Sequence, residues 1–146
     1  MAPDGSGQQR LAPGWCEYAS PSPDATRYAC SAPVNGRYEI VLVDDSGQRT
    51  FLTTTPQSEF GAAWSPDGDW IAFSRDLGDR WELLRIRPDG TDEQVVAPEG
   101  VFATWGPHGE LAWSGPGGLS IARPEGSGPV VLDLPADHPS WAVGTG

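Results

Sequence analysis

The chain has 146 residues, 19 of them glycine and 15 proline, a length that supports one domain with a sizeable core. Twenty acidic against 9 basic residues leave a net charge of −11, a surface that repels phosphate and argues against a nucleic-acid partner. The longest apolar run, residues 40–43, is too short to cross a bilayer, and no stretch carries helical periodicity, so a turn-dense all-β chain is expected.

The first four residues, Met1-Ala2-Pro3-Asp4, lack the basic start and apolar stretch of a signal peptide. Residues 3–13 line up with residues 88–98, both opening on Pro-Asp-Gly. They are expected to form a lone outer strand, the alternative being a polar tail. Four strands follow at about 15–20, 26–31, 38–43 and 48–53, the first two joined by Ser22-Pro23-Asp24. If residue 20 faces residue 26 across that turn, Cys16 faces Cys30. Opposed cysteines on one face of an antiparallel pair have the separation a disulfide needs. Such a bond implies an oxidising compartment: secreted, periplasmic or cell-surface. Two buried thiols are the alternative.

The next unit, about 58–98, is the most regular. A strand ends at Trp64, Ser65-Pro66-Asp67-Gly68 turns the chain, and residues 70–74 alternate Trp70, Ala72 and Ser74 against Ile71 and Phe73. A third strand, 81–87, meets the turn Pro88-Asp89-Gly90, and a fourth passes through Val95 and Val96. In these turns Pro presets φ, Asp bonds the nearby backbone and Gly takes the positive-φ position. The third unit, about 100–135, is degenerate. It holds Trp105-Gly106-Pro107-His108-Gly109, strands at 111–114, 119–123 and 130–134, and the turn Gly115-Pro116-Gly117-Gly118. Pro139-Ser140-Trp141 then looks like the innermost strand of a fourth unit.

Both turn types recur in phase. The first-turn proline advances by 43 and 41 residues, and the second-turn glycine, at Gly5, Gly47, Gly90 and Gly126, by 42, 43 and 36. A period near 40 with four strands per repeat marks a propeller. The Trp-Ser-Pro-Asp-Gly turn followed by Ile71-Ala72-Phe73 resembles the blade of TolB-type propellers, the PD40 repeat related to WD40. That resemblance implies a partial β-propeller of three four-stranded blades, about 14–55, 58–98 and 100–135, with an extra N-terminal outer strand and C-terminal inner strand. Closed propellers have about four to eight blades, and an open stack of three would expose two apolar faces and unpaired edges. Either the chain is part of a longer propeller, or a second copy or a partner subunit completes the ring; a small three-bladed or sandwich-like closure is the remaining option.

Chemical signals are sparse. His108 replaces the turn aspartate of the other copies and His138 precedes Pro139, and two lone histidines do not make a metal site. Asp44-Asp45-Ser46-Gly47 and Asp67-Gly68-Asp69 lack the terminal glutamate of a calcium loop. No nucleophile elbow, phosphate loop or dinucleotide fingerprint is present. No catalytic residue, metal or cofactor is expected. Segments 32–37, 54–60, 75–80, 97–101 and 135–140 vary between repeats and would share one face of a meander. Recognition is usually built on such loops, which singles out Glu59, Phe60, Arg75, Asp76, Asp79, Arg80, Trp81 and His138. The expected function is a non-catalytic module outside the cytoplasm that binds another protein or a surface glycan. A gating propeller of a prolyl-oligopeptidase-like peptidase and a lectin-like propeller are the alternatives.

Overall fold

The computed structural model describes residues 16–123, 130–132 and 139–140. They form three four-stranded antiparallel sheets, each a simple up-and-down meander. The first holds β1 (Glu17–Pro21), β2 (Arg27–Val34), β3 (Arg37–Asp44) and β4 (Arg49–Phe51). The second holds β5 (Glu59–Trp64), β6 (Ile71–Asp76), β7 (Trp81–Ile86) and β8 (Gln94–Ala97). The third holds β9 (Val101–Trp105), β10 (Leu111–Gly115), β11 (Gly118–Ala122) and β12 (Val130–Leu132). Strand β5 packs against β1, β2 and β3, and β9 packs against β5, β6 and β7. The first strands of successive sheets therefore lie side by side, and the sheets stack face to face as blades of a partial propeller. Among the described residues no helix is long and apolar enough to cross a membrane. The predicted strands at 3–13 and after Pro139, with the turn at Pro124, lie outside the described residues.

Alternation along each strand builds two core layers. Ile71 and Phe73 face the first blade, where they join Ala29, Ile40, Leu42, Trp64, Leu84 and Ile86. Ala72 points the other way and joins Leu83, Ala97, Ala103, Leu111 and Trp113 between the second and third blades. A period of 2 in the side chains thus buries both faces of the middle sheet. The far face of the first sheet departs from the open-stack expectation. Cys30, Ala32, Val41 and Val43 form a third buried cluster there, beside the disulfide and the Arg37–Glu39 pair at 2.9 Å. At the outer strand of the third sheet Val130 and Val131 are 59% and 55% exposed, much as Val95 is at 57% in the middle sheet, so that exposure belongs to the rim of the blades and not to an open face.

The repeating turns work as the sequence predicts. In the first two blades a serine hydroxyl donates to the turn aspartate, Ser22 to Asp24 and Ser65 to Asp67, each at 2.5 Å. The same hydroxyls accept from the backbone N–H of Arg27 and Trp70. Gly68, Gly90 and Gly109 take positive φ as the turns require. Hydrogen bonds from Ser22 and Thr26 hold the Asp24 carboxyl at a pKa of about 2, below its ordinary 3.8. Asp44, Asp67 and Asp89 are lowered too, first by hydrogen bonds from Ser46, Ser65 and Thr91. Folding therefore lowers these pKa values, so their contribution is complete above the unfolded value near 4. It is lost as pH falls through the folded values. The melting temperature is expected to drop between pH 4 and pH 2 and to hold steady from pH 5 to 7. A flat profile down to pH 2 would contradict the shifts.

Two details differ from the sequence reading. The first hairpin does not pair 20 with 26: Ser20 opposes Ala29, since the strands resume only at Pro21 and Tyr28. Glu17 opposes Ser31 while Pro21 opposes Tyr28, because Tyr18 and Ala19 form a bulge. The bulge, with Tyr18 at φ 54°, shifts the register so that Cys16 reaches Cys30 from an offset position, their Cα atoms 5.6 Å apart. The disulfide forms as expected, by a different pairing. The segment 32–37 is also no loop. Strand β2 continues to Val34, and Asn35 and Gly36, at φ 50° and 85°, make the tight two-residue turn of a hairpin.

Candidate functional site at the axial end of the inner strands

The site arises from one defect repeated three times. Each inner strand carries a bulge at its start, where two residues oppose one on the neighbouring strand: Tyr18 and Ala19, Gly61 and Ala62, Phe102 and Ala103. The first residue of each pair has positive φ, 54° at Tyr18, 73° at Gly61 and 53° at Phe102. A bulge sharpens the local twist and re-aims side chains. Glycine fills the position without strain in the second blade, whereas Tyr18 and Phe102 hold bulky rings in a region that costs about 1–3 kcal/mol. In the second blade the ring comes from the preceding residue, Phe60.

These bulges gather aromatic side chains from all three blades. Tyr18 lies 6.4 Å from both Phe60 and Phe102, centroid to centroid, and Phe60 lies 5.6 Å from Trp81. The Tyr38 ring lies 4.6 Å from Phe60, tilted at 41°, and its hydroxyl donates to Glu17, which raises the tyrosine pKa. Tyr18, Phe60, Ser74, Trp81, Val101 and Phe102 line a cavity of about 350 Å³. Phe60 and Ser74 are cross-strand partners, as are Asp76 and Trp81, which puts these four side chains on the face toward the third blade. A shallower groove continues over Trp81 toward Asp79, Arg80, Glu99 and Pro116.

The residues singled out from the sequence separate into three groups. Phe60 and Trp81 enter the cavity. Glu59 and Arg75 project to the opposite face of the same sheet, where Arg75 Nε donates to Glu59 Oε1 at 2.9 Å. The Arg75 guanidinium also donates twice to Glu93, each at 2.8 Å. Burial works against the Arg75 charge, but hydrogen bonds from it to Glu93 and Glu59 outweigh that and raise its pKa. This group is interior: Glu59 is 0% and Arg75 9% exposed. Asp76 ends β6, and Asp79 and Arg80 lie in the loop that follows it, beside the groove. Asp76 Oδ1 accepts from the Gly78 N–H at 2.7 Å, and Asp79 pairs with Arg80 at 3.3 Å in solvent. His138 lies outside the described residues. Tyr18 and Phe102 were not expected in the site, although they flank Phe60 at an even spacing of 42 residues.

Among the described residues no group of three or more His, Cys, Asp or Glu could hold a metal ion. The cavity wall itself contains no acid and no base. Its arrangement suits binding by ring faces, with hydroxyls only on Tyr18 and Ser74.

No protein-family model matches the chain. Over 88 residues it is 30% identical to an uncharacterized protein of Agrobacterium fabrum, a match that covers 60% of this chain and 30% of that protein. A candidate TolB from Agrobacterium tumefaciens superposes with a TM-score of 0.71 at 19% identity, over 84% of this chain and 50% of that one. TolB from Acinetobacter baumannii gives a TM-score of 0.56 at 23% identity, over 83% and 29%. A puromycin-hydrolyzing peptidase of Mycobacterium tuberculosis gives 0.70 at 19% identity, over 92% and 24%. The fold is that of TolB-like β-propellers, and the chain spans half or less of each of these proteins.

Proposed function

We propose that this chain is a non-catalytic β-propeller module that recognises another protein or a surface glycan at the axial end of its inner strands. The observation that carries the reading is the cavity into which Tyr18, Phe60, Trp81 and Phe102 converge from three different blades. Core packing does not require bulky rings at two strained bulge positions, and backbone strain of this kind clusters at ligand clamps. The Cys16–Cys30 disulfide supports a place outside the cytoplasm, where such bonds persist. Completion of the ring by a second copy or a partner subunit belongs to the same proposal, because three blades are fewer than the four to eight of a closed propeller.

A second reading is the gating propeller of a peptidase, favoured by the likeness of fold to the puromycin-hydrolyzing peptidase. A lectin-like propeller is a special case of the first, with sugar rings stacked on Trp81. The full chain, probed against a glycan array and an immobilised peptide library, is expected to show selective binding that weakens at least tenfold in Trp81→Ala. Selective binding untouched by that substitution would contradict the placement of the site. Turnover of an aminopeptidase substrate by the chain itself would contradict the non-catalytic reading.

A further inference from the structure

Resting on the reading of this end of the inner strands as the recognition surface, we infer that its cavity is an aromatic cage for a small quaternary ammonium ion. Four rings line it, and they are not stacked. Tyr18 stands at 88° to Phe60, Phe60 at 61° to Trp81, and Tyr18 at 44° to Phe102. Rings turned against one another present faces as well as edges to the space between them. An aromatic face is the negative end of the ring quadrupole and attracts a cation within about 6 Å of its centroid.

The rest of the wall decides which cation. Val101 is apolar, and Ser74 supplies the one side-chain oxygen besides the Tyr18 hydroxyl. A primary ammonium entering such a space would leave N–H donors without acceptors, at a cost of about 1–3 kcal/mol for each unmade bond. A quaternary ammonium has no donors to satisfy and is weakly hydrated, so ring faces replace its water shell at little cost. Ser74 adds a second observation. The residue is 3% exposed and its Oγ has no hydrogen-bond partner in the protein. Buried hydroxyls are normally paired, and this residue belongs to the cavity wall.

Charge favours the same class. Glu99 flanks the adjoining groove, where Asp79 and Arg80 offset one another as a pair, and the whole chain carries −11. That field attracts cations and raises their local concentration. A cavity of about 350 Å³ holds a choline-sized ion whole.

The test compares choline with 3,3-dimethyl-1-butanol, a neutral molecule of the same shape, by calorimetric titration of the unmodified full chain. Choline is expected to bind at least tenfold more tightly than the neutral isostere, and also more tightly than ethanolamine. Trp81→Leu and Tyr18→Leu are each expected to weaken choline at least tenfold, while Trp70→Leu, a ring already covered by Arg85 and Arg87, leaves it unchanged. Equal binding of choline and the isostere, or no choline binding at all, overturns the inference without reference to any variant. If glycan or peptide binding that depends on Trp81 survives such a result, the ligand class falls and the recognition surface stands.

Discussion

Replacing Arg75 with methionine is expected to destabilise the chain by about 3–5 kcal/mol, the usual cost of removing one partner from a buried ion pair. Glu59 is fully buried, and one of its oxygens, Oε2, already has no hydrogen-bond partner. Its other oxygen accepts from Arg75 Nε and from the Thr55 hydroxyl, both at 2.9 Å. Without the guanidinium, a carboxylate would sit in the junction between the first and second blades with one hydroxyl for company. Glu93 would suffer less, because its side chain is 37% exposed and water can take over. The cost therefore lies with Glu59. Adding Glu59→Leu to Arg75→Met should recover much of the loss, since removing both partners leaves no unpaired charge. Denaturant unfolding of the two single variants and the double variant measures this. A double variant as unstable as the sum of the singles would show that the pair acts in some other way.

Reduction of the Cys16–Cys30 bond is expected to cost about 3 kcal/mol in the loop-entropy account, for a closure of 14 residues. For a chain of this size that corresponds to a fall of about 6–12 °C in the melting temperature. The consequence should also reach the site. The bond pins the start of β1 to the buried centre of β2, on either side of the Tyr18 bulge. Freed, β1 would release the ring that the first blade contributes to the cavity. Melting with and without dithiothreitol measures the first effect, and choline titration under the same conditions the second. An unchanged melting temperature would mean that the strand is held by pairing alone.

Architecture was legible in the sequence because it rests on local chemistry. Pro66, Asp67 and Gly68 each have a backbone reason to turn the chain, and Ile71 to Ser74 alternate as a strand with both faces covered. Repetition of these features near every 42 residues was enough to place the blades. Asn35-Gly36 carried an equally local signal, and its two positive-φ residues explain why β2 ends three residues later and β3 begins one residue earlier than their apolar patterns suggest. What depends on register was harder. The first hairpin is already three residues out of the expected pairing at Ser20–Ala29, the bulge at Tyr18 moves it by one residue again, and nothing in the residue type at Tyr18 or Phe102 announces positive φ, whereas Gly61 does. The cavity follows from those bulges, and of the residues singled out from the sequence only Phe60 and Trp81 line it. The Arg75–Glu93 contact was illegible for another reason: two long side chains lie along one sheet face and meet 18 residues apart.

The convergence of three blades on one ring cluster can be observed directly. A nuclear Overhauser experiment on the oxidised chain, with phenylalanine and tyrosine rings selectively labelled, should give cross-peaks from Tyr18 to both Phe60 and Phe102, whose ring centres lie 6.4 Å away. These residues are far apart in sequence and meet only if their strands share an axis. Clear ring signals with no cross-peak between Tyr18 and either phenylalanine would contradict the cavity and the recognition built on it.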